Sequence, residues 1–165
     1  RFRGQNIKKE RNRRNRMKTI ELKAYEFNEL NEKAKEKVLQ QYCSLNVDNE
    51  SWWDFVYEEF NDLGLKINSF DIYRQQIGID FIDDINEFCV NVINNFGDED
   101  IINVCENYLK NKGEKQYYKR LISVEVLTAL TNEYDYLISK EAVIQTIEAN
   151  EWYFNIDGIN INDII

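Results

Sequence analysis

The sequence predicts an α+β fold, several short helices packed on a small antiparallel sheet, and three observations predict it. Apolar residues recur at helical spacing over most of the chain. Two runs rich in β-branched and aromatic residues flank a polar turn. No proline, low-complexity linker or internal repeat divides the chain. With 43% hydrophobic and 13% aromatic residues, about 150 structured residues suit a single domain with a sizeable core.

Residues 1–16 stand apart. They hold eight Lys or Arg and one acid, and the only methionine of the chain follows at Met17. The expectation is a natural start at Met17, with 1–16 a basic leader outside the fold, disordered or not native, and 17–165 a single acidic domain. The alternative is that KKERNRRNR resembles the arginine-rich segments that bind nucleic-acid phosphates. Direct nucleic-acid binding is therefore expected only if the leader is native. Without the leader the net charge of residues 17–165 is −16.

The elements then follow in order. Residues 19–26 alternate enough for a first strand. Asn31 is placed to cap a helix running through Tyr42, with Ala34, Val38, Leu39 and Tyr42 on one face. The segment NESWWDFVYEEFNDLG predicts a second helix with Trp52, Val56, Phe60 and Leu63 inward and Gly64 as its stop. Leu65 to Tyr73 and Ile77 to Ile82 predict a hairpin about Arg74, Gln75 and Gln76. Helical patterns follow at Ile85 to Phe96, stopped by Gly97, and at Asp98 to Leu109, stopped by Gly113. In the second of these, Asp98, Glu99 and Asp100 complement the helix macrodipole. A longer pattern covers Glu114 to Asn132, a last helix begins after Ser139, and Trp152 to Ile156 with Asp157 and Gly158 suggests a strand and turn.

Charge distribution carries the functional expectation. Ser44 to Leu109 contains fifteen carboxylates against Lys66 and Arg74, a net charge of −13. On the tryptophan helix, Glu50, Asp54, Glu58 and Asp62 fall at successive i, i+4 positions with no basic residue among them. Neighbours in such a ridge lie about 6 Å apart, comparable to charges along a nucleic-acid strand, and each like-charge pair costs roughly 0.2–0.5 kcal/mol. One reading is a solvated helix face that maintains solubility; the other is a surface that docks on a basic partner. Asp83, Asp84 and Glu87 are expected to extend the patch. Trp52 and Trp53 diverge by about 100° on a helix, so one is expected inside and the other beside the ridge as an interface anchor. The alternative is that both are partly buried against neighbouring elements.

Other chemistry finds little support. The chain has no histidine, which removes the commonest general base and metal ligand. It has no Gly-rich phosphate loop and no serine nucleophile elbow. Asp80, Asp83, Asp84 and Glu87 offer oxygen ligands, but their spacing matches no calcium loop, so neither metal nor cofactor is expected, and no enzyme. Cys43, Cys89 and Cys105 sit among apolar neighbours and predict reduced core cysteines, which fits a cytoplasmic protein. No run of eighteen apolar residues indicates a membrane span.

The strings YEFNELNEKAKEKVLQQY, NVDNESWWDFVYEEF, LGLKINSFDI and EYDYLISKEAVIQTIEANEWYF resemble a family of small phage and prophage proteins labelled as antitoxins of a toxin-antitoxin stability system. The resemblance covers roughly residues 19–82 and 133–158, begins near Met17, and departs from the family over 83–123. It implies a dispensable gene of a mobile element and no catalytic residue. Origin and charge together lead to an expected inhibitor of a host defence system, of anti-CRISPR or antirestriction type. Its partner would be a basic nuclease or CRISPR effector in the bacterial cytoplasm. The second expectation is an antitoxin that binds a cognate toxin. The third is a nucleotide-signal sponge using Lys115, Lys119 and Arg120.

Overall fold

The computed structural model describes residues 23–48 and 51–161, so the basic leader, residues 19–22 of the expected first strand, and Glu50 lie outside the described residues. Within them the fold is α+β, as predicted. A 3-10 turn at Phe27–Glu29 precedes α1 (Glu32–Gln41) and α2 (Ser51–Asp62). The hairpin β1 (Leu65–Asp71) and β2 (Gln76–Phe81) follows, then α3 (Ile85–Asn95), α4 (Glu99–Asn111), α5 (Lys115–Leu137) and α6 (Lys140–Ala149).

Local chemistry starts most of these helices. Asn31 Oδ1 accepts from the Ala34 amide at 3.0 Å and opens α1. Asp84 accepts from the Asn86 and Glu87 amides at the head of α3, and Asp98 accepts from Asp100 and Ile101 at 3.1 and 3.0 Å at the head of α4. Ser139 Oγ accepts from the Ala142 amide at 3.2 Å and opens α6. Each cap satisfies amides that the first helical turn leaves without a partner.

The stops are less regular than predicted. Gly64 takes φ +93° and ends α2 as expected. Gly97 does not stop α3 in a left-handed conformation; the chain leaves at Phe96 in extended backbone. At the end of α4 the left-handed residue is Lys112, with φ 50°, and not Gly113. Gly113 serves packing instead, since a Cβ there would lie 2.6 Å from Cε2 of Tyr118. The fifth helix runs past Asn132 to Leu137, because Tyr134 and Leu137 still find apolar neighbours in the main core.

In the hairpin Leu65 pairs with Phe81, Ile67 with Ile79 and Phe70 with Ile77, with an irregularity between Ile67 and Ser69. The strands end sooner than predicted because Ile72 and Tyr73 belong to the turn. Of the two outer strands expected at 19–26 and Trp152 to Ile156, the described residues form only isolated bridges. Tyr25 and Phe154 exchange two backbone hydrogen bonds of 2.9 Å, and Phe154 also bridges Asn160. Gly158, at φ +75°, makes the turn between them, and a Cβ there would lie 2.8 Å from the carbonyl oxygen of Ala34.

Two hydrophobic cores result. The larger lies among α2, the hairpin, α3, α4 and α5, centred on Val56, Phe60, Leu65, Phe88, Val92 and Ile122. The smaller joins Phe27, Leu30, Ala34, Val38, Val143, Ile147 and Phe154. Asn46 ties them together: its Nδ2 donates to the Leu137 carbonyl at 2.9 Å, and its Oδ1 accepts from Thr146 Oγ1 at 2.7 Å. Cys89 and Cys105 are buried in the larger core, but Cys43 is exposed, contrary to the expectation for all three. Cys43 lies just past the end of α1, off the stripe of Ala34 and Val38. No helix among the described residues is long and apolar enough to cross a membrane.

Candidate acidic docking face

The α2 helix lies with Trp52, Val56, Phe60 and Leu63 buried, so its opposite face is fixed by the 3.6-residue period. Asp54, Glu58 and Asp62 occupy that face, all exposed. None of the three has an ion-pair or hydrogen-bond partner among the described residues. The ridge therefore stands as an unneutralised row, with Glu50, its predicted first member, outside the described residues.

Of the two expectations for the tryptophan pair, the structure matches the second, with both packed against neighbouring elements, and the surface anchor is corrected. Trp52 is buried and Trp53 is half-buried, so the diverging pair does not split between core and surface. Their ring centroids lie 4.8 Å apart, Trp53 lies 4.9 Å from Phe70 at a tilt of 31°, and Trp52 lies 5.5 Å from Tyr134. The physical reason is that the core curves around α2: the hairpin supplies Phe70 at its flank and α5 supplies Tyr134. The aromatic residues that α2 does expose are Phe55, at 55%, and Tyr57, at 37%. Phe55 was legible in principle, since it falls off the stripe of Trp52, Val56, Phe60 and Leu63 and on the side of the carboxylates.

Between α2 and the end of α3 runs a groove of about 420 Å³, lined by Phe55, Leu63 and Phe96 on its apolar side and by Glu58, Glu59 and Asp62. Phe96 is held by Phe60, 5.3 Å away between centroids. Burial raises the carboxyl of Glu59 above its ordinary range, and the charge of Glu133 adds to the effect.

The second acidic cluster differs. Asp83 and Glu87 are exposed, but Asp84 is committed to capping α3. Hydrogen bonds from the Glu87 amide and from Asn86 hold its carboxyl below the usual range, with a smaller contribution from Lys115. Asp80 pairs with Lys119 at 2.7 Å and accepts from Asn68 Nδ2 at 2.8 Å. The Lys119 contact is the first cause of its lowered pKa. Lys112 reaches Asn86 at 2.8 Å. Lysines brought from residues 112–119 thus answer this cluster, which the sequence left without a cation nearby. No group of His, Cys, Asp and Glu among the described residues is placed to hold a metal ion.

The class that fold and surface define is an α+β protein with one acidic, aromatic-flanked helix face. Comparisons with family models, with curated proteins and with solved structures found no match to the chain.

Proposed function

We propose that the protein is an inhibitor carried by a phage or other mobile element. It acts by stoichiometric binding of its acidic face to a basic nucleic-acid-binding region of a host defence protein, of anti-CRISPR or antirestriction type. The observation that supports this reading is the state of α2. Asp54, Glu58 and Asp62 repeat at i, i+4 without a cation, beside an exposed phenylalanine. Such a row costs roughly 0.2–0.5 kcal/mol per pair in the free protein, a repulsion that a cationic partner relieves. Long-range attraction also steers the encounter. The second acidic cluster contributes less, since Asp80 is paired and Asp84 caps a helix.

The test is capture of a nuclease or CRISPR effector from host lysate by the wild-type chain and by the triple variant Asp54→Lys, Glu58→Lys, Asp62→Lys. The expected result is capture by the wild type at low salt, loss at about 0.5 M salt where exposed charges are strongly screened, and no capture by the variant. Circular dichroism checks that the variant folds. Undiminished capture by a folded variant overturns the reading. Recovery of a small toxin instead turns it to an antitoxin, and recovery of a bound nucleotide turns it to a signal sponge.

A further inference from the structure

Resting on that reading of the acidic face, we propose that the groove between α2 and the end of α3 is an arginine-binding site, which takes one arginine side chain presented by the basic partner. Its composition selects the occupant. Glu58, Glu59 and Asp62 exclude an anion, and a wholly apolar occupant would bury these carboxylates without a partner. At about 420 Å³ the space suits one long side chain better than a folded element, near the lower end of ligand sites at about 300–1,000 Å³.

Among cations the walls favour a guanidinium over an ammonium. Phe55 is 55% exposed, and Phe96 is anchored by Phe60 on the other side of the groove. A guanidinium is planar, weakly hydrated and able to stack on aromatic rings while its forked donors reach carboxylates. A lysine ammonium is a compact, strongly hydrated charge that loses more on leaving water for an aromatic wall. Glu59 adds to the attraction for a cation, because it is half-buried on this wall and the charge of Glu133 bears on it as well. An incoming cation meets a carboxylate already held in unfavourable surroundings. The site also gives the ridge a direction: Asp54 and Glu58 attract any basic surface, whereas the groove beside them rewards one residue type.

The experiment titrates the full chain, by calorimetry at low salt, with oligoarginine and oligolysine peptides of equal length and charge. The expected result is about fivefold to tenfold tighter binding of the arginine peptide, the scale of one aromatic–cation contact. Phe55→Ala brings arginine-peptide binding down to the level of the lysine peptide, and Phe55→Tyr, which keeps the ring, retains the preference. Phe55 is exposed, so neither substitution threatens the core. Equal binding of the two peptides, or a preference that survives Phe55→Ala, overturns the arginine site; if binding is still lost in the Asp54→Lys, Glu58→Lys, Asp62→Lys variant, the docking face stands without it. Failure of both peptides to bind at low salt overturns site and docking face together.

Discussion

Among the described residues, the lobe formed by α2 to α5 gathers nineteen buried hydrophobic side chains, joined by Val47, into one cluster, whereas the lobe formed by α1, α6 and the final turn gathers seven. Their surfaces differ as much as their cores. Residues 51–137 carry seventeen acids against seven lysines and arginines, a net charge of −10, while residues 23–47 and 138–161 carry eight acids against five lysines, a net charge of −3. The larger lobe can bear unrelieved repulsion because each buried Val, Leu, Ile or Phe contributes about 1.5–3 kcal/mol, far above a few tenths per like-charge pair. The smaller lobe has about a third as many such side chains and adds polar clamps to them. Asn31 and Ser139 cap its helices, and Asn155 Oδ1 accepts from Asp157 and Ile159 at 3.0 and 2.9 Å. Asn28 donates to Glu148 at 2.7 Å. The row of uncompensated charge on α2 sits where the core is largest.

The sharpest test of that contrast removes one fully buried ring from each lobe. Phe88→Ala and Phe154→Ala, both at 0% exposure, each cost about 3–5 kcal/mol in urea unfolding. Amide exchange separates them: Phe88→Ala lowers protection throughout, and Phe154→Ala lowers it in α1 and α6 while α3 and α4 keep theirs. Uniform loss in both variants breaks the comparison and makes the two cores one cooperative unit.

Gly158→Ala is next in size. Its positive φ and the 2.8 Å approach of a Cβ to the Ala34 carbonyl predict a loss of about 1–3 kcal/mol, read as a lower urea midpoint with α1 and α6 exchanging faster. A neutral result would show that the smaller lobe relaxes around its turn. Asp98→Ala removes the cap of α4 in the larger lobe and is expected to cost about 1 kcal/mol; a loss above that of Gly158→Ala would reverse the proposed dependence on local clamps.

The smallest effect concerns Glu59. Its folded-state pKa is raised, first by burial and then by Glu133, so the folded chain holds this proton more tightly than the unfolded one. Ionisation then costs stability as pH rises through the ordinary glutamate range and into the raised one. Glu59→Gln is expected to stabilise slightly at neutral pH, with the gain vanishing below about pH 4. Thermal melts at several pH values check this, and a gain that grows on acidification would contradict it.

Much of this molecule was legible because helix signals are local. Asn31 and Ser139 stand at the caps the sequence predicts, and Asp98 opens α4 where its charge was expected, whereas Asp84, expected in the acidic patch, caps α3. The stripe of Trp52, Val56, Phe60 and Leu63 announced the inward face of α2, and with it the outward row of carboxylates. Gly97 and Gly113 misled because glycine marks a stop by conformation or by close packing, and the type alone does not say which. The outer strands were overread because alternation does not tell a ladder from the isolated bridges that Phe154 makes.

The sequence by itself determined where several helices begin, which stripe of α2 turns inward, and that α2 carries a row of anions at i, i+4 with no cation in the same helix, since these follow from contacts within a few residues. Only the tertiary structure decided that both tryptophans turn into an aromatic wall, that Phe55 is left beside the ridge, and that Lys119 neutralises Asp80. Those outcomes depend on partners such as Tyr134, Phe96 and Lys119, 39 to 82 positions distant along the chain. Periodicity within an element places a side chain on a face, but what meets that face is set by how separate elements pack.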